Sequence, residues 1–447
     1  MTDALYTTPA LAAVFAPEGH AAQILAFEAA LARAQARAGL IPAEAAEAIA
    51  AACRVEQFDV AALYGEAARA GTLAIPLVRA LTAQVAEPGR PFVHWGATSQ
   101  DAVDTALMLQ LRQALLLIEG DLLRLAAACA GLAEAHRATL MPARTLLQQA
   151  LPMPFGLKAA RWLALAVRRA SALRRLRATL PSQLGGAAGT LAALGGRGLE
   201  VADLLAAELG LAAPDLPWHA ERDRSATLAA ALAVTAGSLA KVAQDTVLLA
   251  QSEVGEASEA AAPGKGGSSA MPQKRNPVDA VLAQAAARLA LGQAQVVLGA
   301  LAQEHERAAG GWQAEWQALP DLARYAGGAA ARVADAVAGL QVDPGRMRAN
   351  LELGGGLIMA EALTVALAPH LGRLEAQRLV GRLCAAGQPL PEAARADPQV
   401  AAVLAPEALA AALDPAAYLG SSAALIDRAL DAYSAFLAET PDAHPHP

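Results

Sequence analysis

Residues 264–277, GKGGSSAMPQKRNP, set the hydroxyls of Ser268 and Ser269 beside three glycines and among the cations Lys265, Lys274 and Arg275. Hydroxyls can carry protons, and preorganised cations and backbone N–H groups stabilise negative charge as it develops. The combination points to a small anionic substrate, whereas a Gly-Ser stretch without the cations would read as a flexible linker. Three further polar islands interrupt the chain. Residues 92–101 carry His94, Thr98, Ser99 and Asp101. Residues 144–156 carry Arg144, Thr145, Gln148 and Gln149 with two prolines, and residues 303–316 carry Gln303, Glu304, His305, Glu306 and Arg307. Arg144 and Arg307 are candidate carboxylate anchors, or else members of ordinary ion pairs. His305, read as lying at the end of a helix, has the alternative role of a dipole partner.

Other chemistries lack their motifs. Gly264-Lys265 is followed by Gly266 rather than Ser or Thr, so the loop is not a Walker A loop. No GxGxxG follows a strand pattern and GxSxG is absent, so no nucleotide cofactor is expected and a serine hydrolase is disfavoured. The eight histidines form no HExxH or paired spacing, and no metal site is expected. Cys53, Cys129 and Cys384 are widely spaced and odd in number, which reads as free thiols in a reducing cytoplasm.

The elements that must hold these islands are helices. The chain is 55% hydrophobic but only 4% aromatic, and is rich in the strong helix formers Ala, Leu, Arg, Glu and Gln. Glycine and interior proline break helices, so 264–277 is a loop between helical runs. Leu107, Leu111, Leu115, Ile118, Leu122 and Leu125 recur at spacings of three and four, one apolar stripe on a long helix. Ser99 or Asp101 is placed to cap its start. Comparable runs fall near 155–179, 225–257, 277–307 and 320–340, which predicts an extended bundle. Thr8-Pro9 and Ile41-Pro42 read as helix starts, and Glu87 to Pro91 as a breaker cluster.

The expected organisation is all-α in three parts: an N-terminal helical domain over 1–105, a central long-helix bundle over 106–350 carrying the 264–277 loop, and a small helical domain over 351–447. Thr440 to Pro447 read as a disordered tail. The formal net charge of -7 argues against nucleic acid as a partner and makes any anion binding local. Lys241, Arg288 and Glu361 interrupt the apolar runs, so no membrane span is expected, and no signal peptide is read at the N-terminus. The many alanines permit close helix approach and leave apolar faces suited to partner subunits.

Residues 267–277, GSSAMPQKRNP, resemble the signature loop of the fumarase/aspartase superfamily. Thr98-Ser99-Gln100-Asp101, the Thr145 to Gly156 segment and the GGAAGT run at 185–190 match in the same order, so the resemblance covers most of the chain. It implies three helical domains in a homotetramer, with each active site drawing on three subunits. The implied chemistry is proton transfer at a carbon next to a carboxylate, coupled to loss or addition of a β-group. Ser268 is then the proton-transferring residue, with Ser269 the alternative as a backbone-bonding neighbour. Lys274 and Asn276 would bind the carboxylate whose charge grows. His94 would be either a substrate contact or an orienter of the loop.

Within the superfamily, HWGATSQD at 94–101 and LQQALP at 147–152 are most similar to the carboxymuconate cycloisomerases. Gln149 stands where adenylosuccinate lyases have a histidine that protonates the leaving nitrogen. A carboxylate, with a pKa of roughly 4, leaves without a proton, so a lactonising enzyme can do without that acid. The implied activity is conversion of 3-carboxy-cis,cis-muconate, a small polycarboxylate, to 4-carboxymuconolactone in protocatechuate degradation. The alternatives are an adenylosuccinate-type lyase releasing fumarate and an inactive helical scaffold.

Overall fold

The structure, a computed structural model, describes residues 3–439; the tail from Thr440 to Pro447 lies outside the described residues. The chain is mostly helical, 69%, as its composition predicts. The elements used below are α1 (Pro17–Arg37), α2 (Ser99–Ala135), β1 (Leu140–Thr145), β2 (Gln148–Pro154), α3 (Phe155–Arg177), α4 (Asp223–Leu249), α5 (Val278–Gly299), α6 (Gly311–Ala338) and α7 (Pro344–Glu352).

The predicted helix starts are real. Thr8 caps the Pro9–Val14 helix by accepting from the Leu11 N–H at 3.2 Å, and a second helix begins after Pro42. The stripe on α2 is buried along its whole length, from Leu107 to Leu125. Asp101 sits in the first turn of α2 and reaches back to the Thr98 N–H at 2.9 Å, half of a capping box.

Contacts divide the chain into two compact units. The first comprises 1–122, 169–241 and 282–332. Its main core packs α1 and the short helices after it against the start of α2 and the Gly198–Leu209 helix, around Ile24, Phe27, Leu31, Leu77, Leu81 and Leu205. The second comprises 123–168, 242–281 and 333–447. Leu363, Leu367, Leu379, Val380 and Leu390 form its main apolar cluster, among the small C-terminal helices.

Two features depart from the sequence-based expectations. The 144–156 island belongs to a two-stranded antiparallel hairpin, β1 with β2, turning at Leu146–Leu147. Pro142, Pro152 and Pro154 exclude a helix there, and both turn residues have positive φ (50° and 64°), as a tight two-residue hairpin requires. Secondly, α4 and α5 are long and apolar enough, by length and composition alone, to cross a membrane. A single Lys241 or Arg288 does not break the average in helices so rich in alanine and leucine.

Candidate active site

In the first unit, the 92–101 island is a turn feeding α2. His94 adopts φ 58°, a left-handed conformation costly for a side chain with a Cβ. Its Nδ1 lies 2.6 Å from Oε1 of Glu28, which is 1% exposed on α1. Two turns further along the same face of α1, Gln35 donates to the Trp95 carbonyl at 2.6 Å. Burial pulls the His94 pKa down, but the charges of Glu28 and Asp101 and the hydrogen bond to Glu28 outweigh it and the net shift is upward.

Asp101, fully buried, joins three segments. Besides the Thr98 N–H it accepts from the Gly185 and Gly186 N–H groups at 2.9 and 3.0 Å, and pairs with His219 Nε2 at 2.7 Å. The GGAAGT run is thereby fixed to the Thr98–Ser99 turn. Gly185 has no room for a side chain, because a Cβ would meet His219 Cε1 at 2.8 Å. Beneath this turn lies a second buried network. Arg222 donates to Asp104 at 2.8 and 3.1 Å and to Glu315 at 2.6 Å, with its guanidinium 4.7 Å from the Trp218 ring centre. Trp312 Nε1 also donates to Asp104, and Gln303 to Glu315.

Arg307 is held by this scaffold. Its Nε donates to Gln100 Oε1 at 3.0 Å and its Nη2 to the Ala187 carbonyl at 3.2 Å, while the residue stays exposed. His305 is exposed in a turn beyond the end of α5, at φ 50°, so it is not at a helix terminus as the sequence suggested. The structure thus places His94, Thr98, Ser99 and Arg307 on one bonded framework.

In the second unit the hairpin tip exposes Thr145, Gln148 and Gln149. Gln149 donates to the Asn350 carbonyl of α7 at 2.8 Å. Arg144 makes a bidentate pair with Glu256, at 2.8 and 2.6 Å, and Asn350 Nδ2 donates to the same carboxylate at 2.7 Å. The Arg144 charge is therefore matched by a carboxylate that is fully buried.

The 264–277 segment is irregular throughout. Lys265, counted above among the cations suited to an anion, instead clasps the stem of the loop, 2.5 Å from Asp279 and 3.3 Å from Glu259. Glu259 in turn accepts from the Asp279 and Ala280 N–H groups at the start of α5. Burial works against the Lys265 charge, but these two carboxylates hold its pKa above the usual lysine value. Gly266, at φ 70°, accepts from the Asn276 N–H at 2.8 Å and closes the loop; a Cβ there would meet the Asn276 oxygen at 2.6 Å.

Ser268 Oγ accepts from two backbone N–H groups, Ala270 at 3.3 Å and Met271 at 3.1 Å. Both donors come from the residues after the serines. Ser269 is exposed. Lys274 and Asn276 line a cavity of about 600 Å³ together with Arg275, Gln273, Gln251 and Glu259. Among the described residues, no group of three His, Cys, Asp or Glu is placed to hold a metal ion.

Backbone strain marks the same segments. The five described non-glycine residues with positive φ are His94, Leu146, Leu147, Leu191 and His305, all in or next to the polar segments. Sequence reasoning missed Glu28, Gln35, His219, Arg222, Glu256 and Glu315. A lone acid in the apolar run AFEAALA, and the Glu221-Arg222-Asp223-Arg224 cluster between apolar helices, were the available signals.

A lyase family model matches residues 5–292, and a model of the adenylosuccinate lyase C-terminus matches residues 356–429. The chain belongs to the fumarase/aspartase lyase superfamily. A 3-carboxy-cis,cis-muconate cycloisomerase of Bradyrhizobium diazoefficiens is 52% identical over 91% of this chain and 92% of its own. A nitrosuccinate lyase of Streptomyces davaonensis is 45% identical over 95% of this chain and 92% of its own. Among solved structures, 3-carboxy-cis,cis-muconate lactonizing enzyme from Pseudomonas putida superposes with a TM-score of 0.91 at 43% identity, covering 98% of this chain and 99% of that one. The superfamily membership expected from the signature loop therefore holds over nearly the full chain.

Proposed function

We propose that this superfamily member is a cycloisomerase that converts 3-carboxy-cis,cis-muconate to 4-carboxymuconolactone. One carboxylate of the substrate adds across a double bond, forming the ring C–O bond. The electron pair moves onto a second carboxylate as an enediolate, and a proton then reaches the α-carbon. The observation that carries the mechanism is the pair of N–H groups on Ser268 Oγ. After Ser268 gives its proton to carbon, those donors stabilise the alkoxide until solvent reprotonates it. Lys274 and Asn276 take the carboxylate that becomes the enediolate. The intramolecular nucleophile needs only the correct fold of the substrate, so orientation supplies much of the rate.

His94, Thr98, Ser99, Thr145, Gln148, Gln149 and Arg307 are assigned to substrate binding, and Arg144 to shaping the hairpin through Glu256. Gln149 cannot supply a proton to a leaving group, which argues against loss of an amine. The 45% identical relative keeps a second reading open: loss of nitrite from a nitrosuccinate, another departure that needs no acid.

We further assign the chain to a homotetramer with active sites shared between subunits. Support comes from the apolar side chains that α5 and the residue pair beyond it leave exposed: Leu289, Leu291, Val296, Leu298 and Leu301. The three free thiols fit a cytoplasmic setting, and the three-domain division of the sequence is retained. The reaction turns a trianion into a dianionic lactone, so the test is loss of diene absorbance with uptake of a proton per turnover in weak buffer. Fumarate from adenylosuccinate, or nitrite from nitrosuccinate, with no change in the muconate would overturn the assignment.

A further inference from the structure

Glu28 is a carboxylate on a core helix. Its neighbours on α1 include Ile24, Phe27 and Leu31, all at most 1% exposed. A charge placed there is costly unless it is paired, and the partner it finds is His94. Gln35, the other buried polar residue on α1, grips the adjacent carbonyl of Trp95. One helix face thus holds both residues of a strained turn, one by its side chain and one by its backbone. Nothing in the apolar pattern of α1 requires either polar residue for folding. Ring nitrogen Nδ1 is engaged by Glu28, which leaves Nε2 as the remaining donor of an imidazolium whose side chain is 18% exposed.

We propose that Glu28 is a positioning residue that keeps His94 protonated and oriented, so that His94 binds a substrate carboxylate as a cation rather than as a neutral imidazole. The proposal rests on the polycarboxylate substrate assigned above and resolves the two roles left open for His94: it is a substrate contact, and Glu28 is its orienter. The charges acting on His94 come from two elements. Glu28 faces it from α1, and Asp101 from the first turn of α2. Asp101 is already bonded by three backbone N–H groups and His219, so Glu28 is the carboxylate in direct contact with the ring. Cys53, near Glu28, stays a neutral thiol, since burial foremost pushes its pKa up to about 12.

The sign follows from the pairing. An adjacent carboxylate favours the imidazolium, so His94 keeps its charge to higher pH than an isolated histidine. Glu28→Gln retains shape and a hydrogen bond but removes the charge. The variant should show a KM for the muconate several-fold above wild type at pH 8, with kcat nearly unchanged. The difference should narrow between pH 8 and pH 5.5, as more of an imidazole that burial holds below its ordinary value takes up a proton. A KM raised by the same factor at both pH values would reduce Glu28 to a structural role and overturn the proposal.

A measurement on the free wild-type protein separates this proposal from the assigned reaction. The His94 ring, identified by its loss in His94→Gln, is titrated by NMR with selectively labelled histidine. A midpoint above the ordinary value near 6.5 supports the proposal even if muconate is not the substrate. An ordinary or depressed midpoint sinks it even if muconate is turned over.

Discussion

Asp104, Arg222 and Glu315 are each at most 2% exposed and bonded to one another and to Trp312, Gln100 and Gln303, whereas residues 264–277 lie largely exposed with few bonds beyond Lys265, Ser268 and the Gly266–Asn276 closure. The first region is a buried ionic lattice next to the Thr98–Ser99 turn, which Asp101 ties to the GGAAGT run. The second is a glycine-rich segment tied at its stem. A binding surface benefits from rigidity, because each ordered group costs less when substrate arrives. A loop that must admit substrate and then surround an enediolate needs freedom instead. On the proposed mechanism the assigned anchors Thr98, Ser99 and Arg307 belong to the first kind of region and the proton carrier Ser268 to the second.

If that contrast is sound, damage to the lattice should appear as lost stability and damage to the loop as lost turnover. The largest expected effect is in the lattice. Arg222→Met leaves Asp104 and Glu315 buried without a counter-charge, and should cost about 3–5 kcal/mol of folding stability, read from urea midpoints. A loss below roughly 1 kcal/mol would mean the network is wetter than its burial indicates. Ser268→Ala should do the reverse, lowering kcat by about 10²- to 10³-fold, roughly 3–4 kcal/mol of barrier, with the urea midpoint unchanged. Unchanged turnover would remove Ser268 from the mechanism and leave the activity to be explained otherwise.

Much of this contrast was visible in the sequence, but unevenly. The loop announced itself because glycine, proline and paired serines are foreign to an alanine-leucine helix, and a local signal needs no tertiary information. The α2 stripe was equally plain, since helical spacing is also local. The lattice was not legible. Arg222 lies in the charged run Glu221 to Arg224 and Glu315 between Trp312 and Trp316, and neither local context marks a buried ion pair. Only the fold brings Asp104, Arg222 and Glu315 together from separations of 118 and 93 residues. The hairpin was missed for another reason: its prolines and glutamines marked a break in helix, and a two-stranded ribbon is too short for a strand pattern to stand out. Arg144 reads from the sequence as a carboxylate anchor or a member of an ion pair, and its partner Glu256 sits 112 residues away.

Lys265 tests the stem of the loop, where the two regimes meet in one segment. Lys265→Met removes its bonds to Asp279 and Glu259 and leaves two buried carboxylates facing each other. Charge-assisted bonds of this kind contribute about 1.5–3 kcal/mol. The expected outcome is faster amide exchange through 264–277 and a raised KM, with the exchange of α2 amides unchanged. Equal acceleration in both places would show that the loop is coupled to the core rather than hinged on its stem.

The smallest effect compares two histidines of the first unit, one beside carboxylates and one without. His94 has a carboxylate at 2.6 Å; His20, on the same helix as Glu28, has only the Tyr64 hydroxyl at 2.9 Å. Burial lowers the His20 pKa to about 4, and no charge opposes it. For His20 the folded pKa lies below the unfolded value near 6.5, so the unfolded chain binds the extra proton between those limits. Its contribution to stability is complete above pH 6.5 and is lost as pH falls towards 4. His94 has the opposite sign: its contribution is complete below pH 6.5 and is lost as pH rises through the elevated folded value. His20→Gln should therefore flatten the acid side of the stability profile by about 1–2 kcal/mol, discounted for its partial contact with solvent. Glu28→Gln should instead flatten the alkaline side. Urea midpoints at pH 5, 7 and 9 separate the two variants. If both flatten the same side, the carboxylate is not what distinguishes the histidines, and the proposed charge on His94 loses its basis.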